Sequence, residues 1–582
     1  MTTTKKQRKP SEERVWMKYF PEEAQNIQVP NLTVYGYIKE FNKDKMDTIA
    51  LNYYGAKTTY AQLIDKIEET ANAFAAAGVK EGDMVSFVTV GVPETIASIY
   101  ALNKLGATAN MIDPRMDIAS IRKMIKNSGC KTVIIIDIAF PKLRKFMDEL
   151  TVDHILVQSA ARSLPFIKKI AMKIATKTDV PWSDVVINWD QFLAMGKNTK
   201  AVEAPYQGDR TVAITHTGGT TGFPKGVMLT NDSMNAVAIN FKYAGLYQQP
   251  DDSFLGIIPV FTSYGMVCGM HMPLSMSLKL IPIPKFVPEE FGKLVKMFKP
   301  THMISTPAFY ELLMDSKEMK NFDLSFLITM GSGGDTMNEG LEKKLNEFMQ
   351  THNIRYPLAQ GYGMSEVSAA ASFSVNDIFK SKSVGIPSVT TTMGIFDPDT
   401  GEELDYNQIG EICITGPSMM KGYYRKADET AHVMRKHDDG RIWIHSGDIG
   451  YMDEDGFVFI KGRLKRMITR FDGHKVFPVG IESMVSERED VTSCCVIGVN
   501  DRYHSQGQMP LVIVALADGV NREETCKSIF AQCQEELEER GKPVAVIALD
   551  HIPLTGAGKN DYRTLEQVYE NYDYTVWEQN MA

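Results

Sequence analysis

Runs that are apolar almost throughout alternate with amphipathic helical stretches along most of this chain, and few folds accept that pattern. The run TVIIID at residues 132–137 shows no polar face, as expected of a strand covered on both sides. Residues 84–90 read as another strand, and a helix is predicted from Pro93 to Leu105. Ahead of them Thr59 and Gln62 have capping-box spacing, and Leu63, Ile67, Ala71 and Phe74 form one apolar stripe that Gly78 can end. FLGIIPV at 254–260 and THMIST at 301–306 continue the alternation. The implied class is α/β with parallel-rich sheets.

A chain of 582 residues exceeds one hydrophobic core. After Leu464 the run GRLKRMITRFDGHK is charged and carries glycine, a linker composition. Beyond it come predicted strands at 493–499, 511–517 and 544–549 and a helix near 523–539. Residues 1–464 therefore read as a large N-terminal domain of several subdomains, and residues 465–582 as a small, mobile α+β C-terminal domain. With 44% hydrophobic and 23% charged residues the chain has the balance of a globular protein, and a net charge of −9 speaks against a nucleic-acid partner. No apolar run approaches the roughly 20 residues of a membrane-spanning helix, and MTTTKKQRKPSEER lacks a signal peptide's apolar stretch. Seven scattered cysteines without CxxC spacing fit reduced thiols, so a cytoplasmic location is expected. Cys526 and Cys533, in a helical pattern with Ile529 and Leu537, should face the core.

Four segments carry chemistry. THTGGTTGFPKG at 215–226 is rich in glycines that let backbone N–H groups approach phosphate oxygens, with hydroxyls from Thr217, Thr220 and Thr221. It is not a Walker A loop, because Lys225 sits between Pro224 and Gly226. QGYGMSE at 360–366 offers an aromatic ring, Tyr362, between Gly361 and Gly363, then the Ser365 hydroxyl and the Glu366 carboxylate. Such a carboxylate beside phosphates suits Mg²⁺. WIHSGDIGYMDEDGFVFIKGR at 443–463 holds Asp448, able to accept from two ribose hydroxyls, and the cationic Arg463. PLTGAGKNDYRTL at 553–565 presents Lys559 after Gly558. Taken singly, each has a plainer reading as a turn or a solvated surface.

In this order the four segments closely resemble the adenylate-forming superfamily: acyl- and aryl-CoA synthetases, luciferases and the adenylation domains of peptide synthetases. The resemblance runs from Leu32 to Leu565 and implies ATP, Mg²⁺ and coenzyme A as co-substrates or cofactors. It implies that Thr217, Gly218, Gly219, Thr220, Thr221, Gly222 and Lys225 embrace the β- and γ-phosphates. GSGGDTM at 331–337, with Gly333, Gly334 and Asp335, is similar to the family segment beside adenine, although Asp335 and Thr336 stand where Ala and Pro are common. Tyr362 would pack on adenine, Ser365 would touch phosphate, Glu366 would hold Mg²⁺, and Asp448 and Arg463 would bind ribose. Lys559 matches the lysine that bridges the substrate carboxylate and the α-phosphate, and Lys465 matches the hinge about which the small domain turns. Catalysis would rest on Lys559, Glu366 and Thr220, since two anions must meet and no general base is needed.

Two departures stand out. PVFTSYG at 259–265 resembles a family segment lining the acid pocket (Phe261, Thr262, Gly265), in which CoA synthetases often carry His where Thr262 stands. Thr262 also lacks the charge an α-amino acid's ammonium would need. ITRFDG at 468–473 is one residue longer than the usual linker spacing. The expected activity is an AMP-forming acid–CoA ligase in fatty acid metabolism or for an aromatic acid. The alternatives are an enzyme that loads a separate carrier protein, none being fused after Leu565, and a catalytically silent nucleotide binder. Met266, Met270, Met272 and Met276 suit a roomy apolar acid site, though ordinary core is the preferred reading for most of them. SLPFIKKIAMKIATK at 163–177 mixes Phe166, Ile167, Ile170 and Ile174 with Lys168, Lys169, Lys173 and Lys177 and has no acidic residue. An ordinary surface helix is preferred there, with peripheral contact to an anionic membrane as the other reading.

Overall fold

A computed structural model describes residues 8–175, 178–217, 224–244, 249, 251–337, 339–374, 377–553, 560–575 and 577, the side chains of 173–175 excepted. The helix Tyr60–Ala76 opens with the expected capping box: Gln62 N–H donates to Thr59 Oγ1 at 3.2 Å and Thr59 N–H to Gln62 Oε1 at 3.0 Å. Its stripe of Leu63, Ile67, Ala71 and Phe74 is fully buried.

Two parallel-rich sheets form the large part of the chain. One has seven strands in the order Val186–Asn188, His154–Gln158, Thr132–Ile136, Met84–Val88, Thr108–Ile112, Thr211–His216 and Gly226–Thr230, with only the last pair antiparallel. The strand Thr132–Ile136 is buried along its whole length, which is why its sequence shows no alternation. The second sheet has nine strands. Ile49–Tyr53, Lys279–Pro282, Ser253–Gly256, His302–Ser305, Thr329–Ser332 and Ala359–Tyr362 run parallel, and both edges are antiparallel. The expected strand at 254–260 stops at Gly256; Ile257 to Val260 leave the sheet, where Pro259 has no N–H for a ladder, and line a cleft instead.

An antiparallel five-stranded sheet follows, built on the long strand Ile442–Met452. After the turn Leu464–Arg466 comes an α+β unit in which Val491–Asn500, Gln508–Leu516 and Ala545–Leu549 form a sheet against the helices Pro478–Ser486, Arg522–Glu536 and Tyr562–Tyr569. Cys526, Ile529 and Cys533 are buried there, and all seven cysteines are free. The long linker segment forms a small hairpin, Ile468–Thr469 with Lys475–Val476, closed by Arg470 N–H to the His474 carbonyl at 2.9 Å. No helix among the described residues is long and apolar enough to cross a membrane.

The core also holds polar groups. His271 is fully buried, with Nε2 3.1 Å from Asn235 Oδ1 and Nδ1 3.2 Å from the Tyr100 hydroxyl. Burial pushes its imidazole down from 6.5 to about 3. Below pH 6.5 the unfolded chain gains a proton that the folded chain refuses until about pH 3, so unfolding is favoured as pH falls through that window. Stability from this group should drop by about 1.4 kcal/mol per pH unit, a slope that urea unfolding of His271→Gln should show flattened by about that amount.

Candidate active site

The carboxyl ends of parallel strands are where open α/β sheets place ligands. Here the strands Thr211–His216, Thr329–Ser332 and Ala359–Tyr362 lead into Thr217, Gly333 and Gly363, all on one cleft of about 2600 Å³. Every described site residue expected from sequence lines this cleft. Gly218, Gly219, Thr220, Thr221, Gly222 and Lys559 lie outside the described residues.

On one wall the Tyr362 hydroxyl donates to Asp448 Oδ2 at 2.7 Å, and Arg463 Nε reaches Asp448 Oδ1 at 2.7 Å. Asp448 and Arg463 are direct partners across antiparallel strands. Burial raises the Asp448 carboxyl above its ordinary range, against the opposing pull of Arg463 and Tyr362. The turn before Asp448 is held by Glu411, whose Oε1 accepts from Gly447 N–H at 2.9 Å while Oε2 lies 2.7 Å from His445 Nδ1. A Cβ at Gly363 would fall 1.8 Å from the Ala369 carbonyl, and one at Gly333 would come 3.2 Å from the Gly361 carbonyl, so bare backbone is required at this wall. The Ser332 hydroxyl and the Gln360 amide nitrogen are buried here without a hydrogen-bond partner among the described residues. Unpaired polar atoms in a cradle of backbone fit a polar planar ligand such as a purine.

On the next wall Thr217 N–H donates to the Lys225 carbonyl at 2.9 Å and Lys225 N–H to Thr217 Oγ1 at 3.1 Å, so the two ends of the glycine-rich loop are clamped together. Lys225 Nζ lies 4.4 Å from the centroid of the Tyr423 ring, and the Tyr423 hydroxyl donates to buried Glu366 Oε1 at 2.5 Å. Burial, with Glu366 beside it, pushes the Tyr423 phenol well up, so it remains a donor. Glu366 Oε2 has no hydrogen-bond partner among the described residues. A carboxylate oxygen with no partner among the described residues, on the wall that carries both ends of the glycine-rich loop, fits the few protein ligands that Mg²⁺ takes.

The third wall is apolar. Thr262 Oγ1 donates to the Pro259 carbonyl at 2.8 Å and accepts from Gly265 N–H at 3.0 Å, so its hydroxyl is used up in the backbone. A Cβ at Gly265 would lie 2.1 Å from the Pro259 carbonyl. The chain then winds as a π-helix, Tyr264–His271, a rare geometry concentrated at functional sites. Met266, Met270, Met272 and Met276 are all buried in one hydrophobic cluster, as the core reading expects, and the last three also border the cleft with Leu278, Leu280 and Phe254.

Lys465 is exposed on the turn Leu464–Arg466 and faces the cleft. The next residue is anchored: Arg466 Nη2 donates to Glu482 Oε1 at 2.5 Å, and its guanidinium sits 3.5 Å above the Tyr562 ring. Asn560 and Tyr562, just after Lys559, line the same cleft. Sequence reasoning missed Tyr423 and Glu411. No local pattern marks either, since their partners Glu366 and Gly447 lie 57 and 36 residues away.

Such a cleft, shared by two α/β sheets and a small C-terminal unit, has the form of an enzyme's nucleotide site. The family model for AMP-binding enzymes matches residues 38–424, and that for the AMP-binding enzyme C-terminal domain matches residues 480–559. The chain belongs to the AMP-binding enzyme family. It is 29% identical to a long-chain-fatty-acid–CoA ligase of Bacillus subtilis (strain 168), over 96% of this chain and 99% of that protein. It is 28% identical to 4-coumarate:CoA ligase 1 of Petunia hybrida, over 86% of this chain and 87% of the other. The crystal structure of the anthranilate CoA ligase AuaEII in complex with anthranoyl-AMP shares the fold with a TM-score of 0.78 at 19% identity, covering 94% of this chain and 98% of that one.

Tyr423→Phe should remove the hydroxyl that satisfies buried Glu366, a charge-assisted bond worth about 1.5–3 kcal/mol. Pyrophosphate release should slow by about ten- to a hundredfold, and the variant should also unfold at a lower temperature because a buried acceptor loses its donor.

Proposed function

We propose that the chain activates a fatty acid with ATP to acyl-AMP and pyrophosphate and then forms the coenzyme A thioester. The apolar wall of Met270, Met272, Met276, Leu278, Leu280 and Phe254 carries this reading. These six residues carry no charge and are partly flexible methionines, as an alkyl chain requires. The long-chain ligase of B. subtilis, matched over nearly its whole length, supports it.

In the first step an oxygen of the substrate carboxylate attacks the α-phosphorus, a P–O bond forms, and the bond to pyrophosphate breaks. Tyr362 and the backbone at Gly333 and Gly334 would hold adenine, Asp448 and Arg463 the ribose, and Thr217, Ser365, Lys225 and the glycine-rich loop the phosphates. Glu366 would hold Mg²⁺, which when bound offsets the negative charge that the two anions bring together. Lys559 would bridge carboxylate and α-phosphate and stabilise the charge developing there. In the second step the coenzyme A sulfur attacks the acyl carbonyl carbon and AMP leaves. Residues 465–582 would turn about Lys465 between the steps, a reading supported by its exposure directly before the anchored Arg466. The demand for ATP and coenzyme A, with seven free and buried cysteines, supports a cytoplasmic setting.

The test is incubation with ATP, Mg²⁺ and a panel of fatty and aromatic acids, with and without coenzyme A, following pyrophosphate and product mass. Acyl-CoA from fatty acids is expected. Acyl-AMP that persists despite coenzyme A would transfer the second step to a carrier protein, and absence of pyrophosphate with every acid would make the chain a silent binder. Lys559→Ala should cost the first step about a hundredfold or more and affect thioester formation from supplied acyl-AMP less. Gly269 lines the cleft, and a Cβ there meets nothing nearer than 3.9 Å, so the side chain of Gly269→Phe would take its room from the cleft, with the melting temperature checking that the variant folds. Its kcat/KM for a long-chain acid should fall by about ten- to a hundredfold, while a short acid changes by about threefold at most.

A further inference from the structure

Amphipathic helices of globular proteins turn their apolar face to the core. The helix Phe166–Ala175 does the opposite. Lys168 Nζ donates to the Tyr54 carbonyl at 3.0 Å, and Met172, one turn on, packs against the core of the seven-stranded sheet. Lys168 and Met172 therefore mark the face that meets the protein. By helical spacing Phe166, Ile167 and Ile170 fall on the other side, and they are 77%, 81% and 45% exposed. Leaving one such side chain in water is common, but three in one patch mark a surface that something covers.

The charge around the patch indicates what covers it. From Arg162 to Lys177 the sequence has no Asp or Glu; Arg162 is paired with Glu94 and Asp190 and Lys168 with the Tyr54 carbonyl, which leaves Lys169, Lys173 and Lys177 as the segment's other cations in a chain whose net charge is −9. Lys169, one residue before Ile170 and three after Phe166, borders the apolar patch in the way that lets an ammonium stay at the headgroup level while its stem runs along apolar surface. An apolar partner surface of a protein would not select for this charge, whereas a bilayer with anionic headgroups selects for both features together. The helix also sits at the mouth of the cleft. Met172 lines the rim, as does Ile138, itself 47% exposed.

We propose that the helix Phe166–Ala175 docks on an anionic lipid bilayer, with Phe166, Ile167 and Ile170 entering the acyl boundary and the neighbouring lysines meeting the headgroups. The cleft mouth then opens at the membrane surface, where an amphiphilic acid is concentrated. Docking itself does not depend on which acid the cleft takes.

The test uses the full chain, without ATP or acid, in co-sedimentation with vesicles of phosphatidylcholine alone and of phosphatidylcholine with phosphatidylglycerol. Binding to the phosphatidylglycerol vesicles is expected, weakened by high salt. The double variant Phe166→Ser and Ile167→Ser should bind about tenfold or more weakly, because each buried apolar side chain contributes to partitioning. Lys169→Glu should lose binding to anionic vesicles while keeping the same elution volume as the parent. Both variants should turn over a short, freely soluble acid at the parent rate, which shows that they fold. Equal binding to both vesicle types, no binding to either, or unchanged binding by the double variant would overturn the proposal. So would a dimer that forms with rising concentration and is lost in the double variant, since a second copy would then cover the face. If docking holds and fatty acids are not activated, only the substrate reading fails.

Discussion

The Asp448 carboxylate sits where three parts of the chain meet, and the cleft depends on its being paired. Tyr362 comes from the nine-stranded sheet, Asp448 from the centre of the antiparallel sheet, and Arg463 from the strand that runs out into the linker. A charge taken out of water must be compensated locally, or it neutralises or unfolds its surroundings. Arg463 and Tyr362 provide that compensation only if both sheets and the last strand are in place together. The pairing thus couples the nucleotide wall to the segment that leads to Lys465. A second carboxylate, Glu411, does for the turn at Gly447 what Arg463 does for Asp448, fixing where the group points.

Much of this architecture was legible because its causes are local. The capping box at Thr59, the apolar strand at Thr132–Ile136 and the helix Pro93–Leu105 each follow from residues within one element. The Gly-Tyr-Gly turn at 361–363 was legible for another reason: it needs bare backbone, as the 1.8 Å approach of a Cβ at Gly363 to the Ala369 carbonyl shows. What stayed hidden depends on tertiary pairing. Tyr423 carries no local signature, and its importance comes only from the Glu366 oxygen it meets. The strand expected to reach Val260 failed for a related reason, since an apolar run does not say whether its side chains meet a sheet or line a cleft.

The apolar wall of the cleft depends on tertiary placement in a different way. Four methionines in a short stretch are compatible with core packing and with a binding surface, and flexible thioethers serve both. The structure shows both roles together: Met266 and Met270 are buried in one cluster, and Met270, on the π-helical turn Tyr264–His271, also borders the cleft. Thr262 lies at the entrance to this stretch, and its hydroxyl is committed to the Pro259 carbonyl and Gly265 amide. It therefore acts as a turn-former, and the wall beyond it has no fixed charge with which to recognise an ammonium.

Residues 163–177 are the sharpest case of a pattern whose meaning depends on orientation. Spacing alone shows that the helix has an apolar side and a basic side, and an ordinary surface helix would meet the same description. The decisive facts are the Lys168 bond to Tyr54 and the packing of Met172, which place the opposite side against the protein. A helix anchored by its polar row cannot also bury its apolar row in the same body, because the two rows point apart. On the proposed docking, the apolar row enters the acyl boundary of a bilayer, and Lys169 beside it meets negatively charged headgroups. Orientation, which only the folded neighbours supply, turns a composition into a surface with a direction.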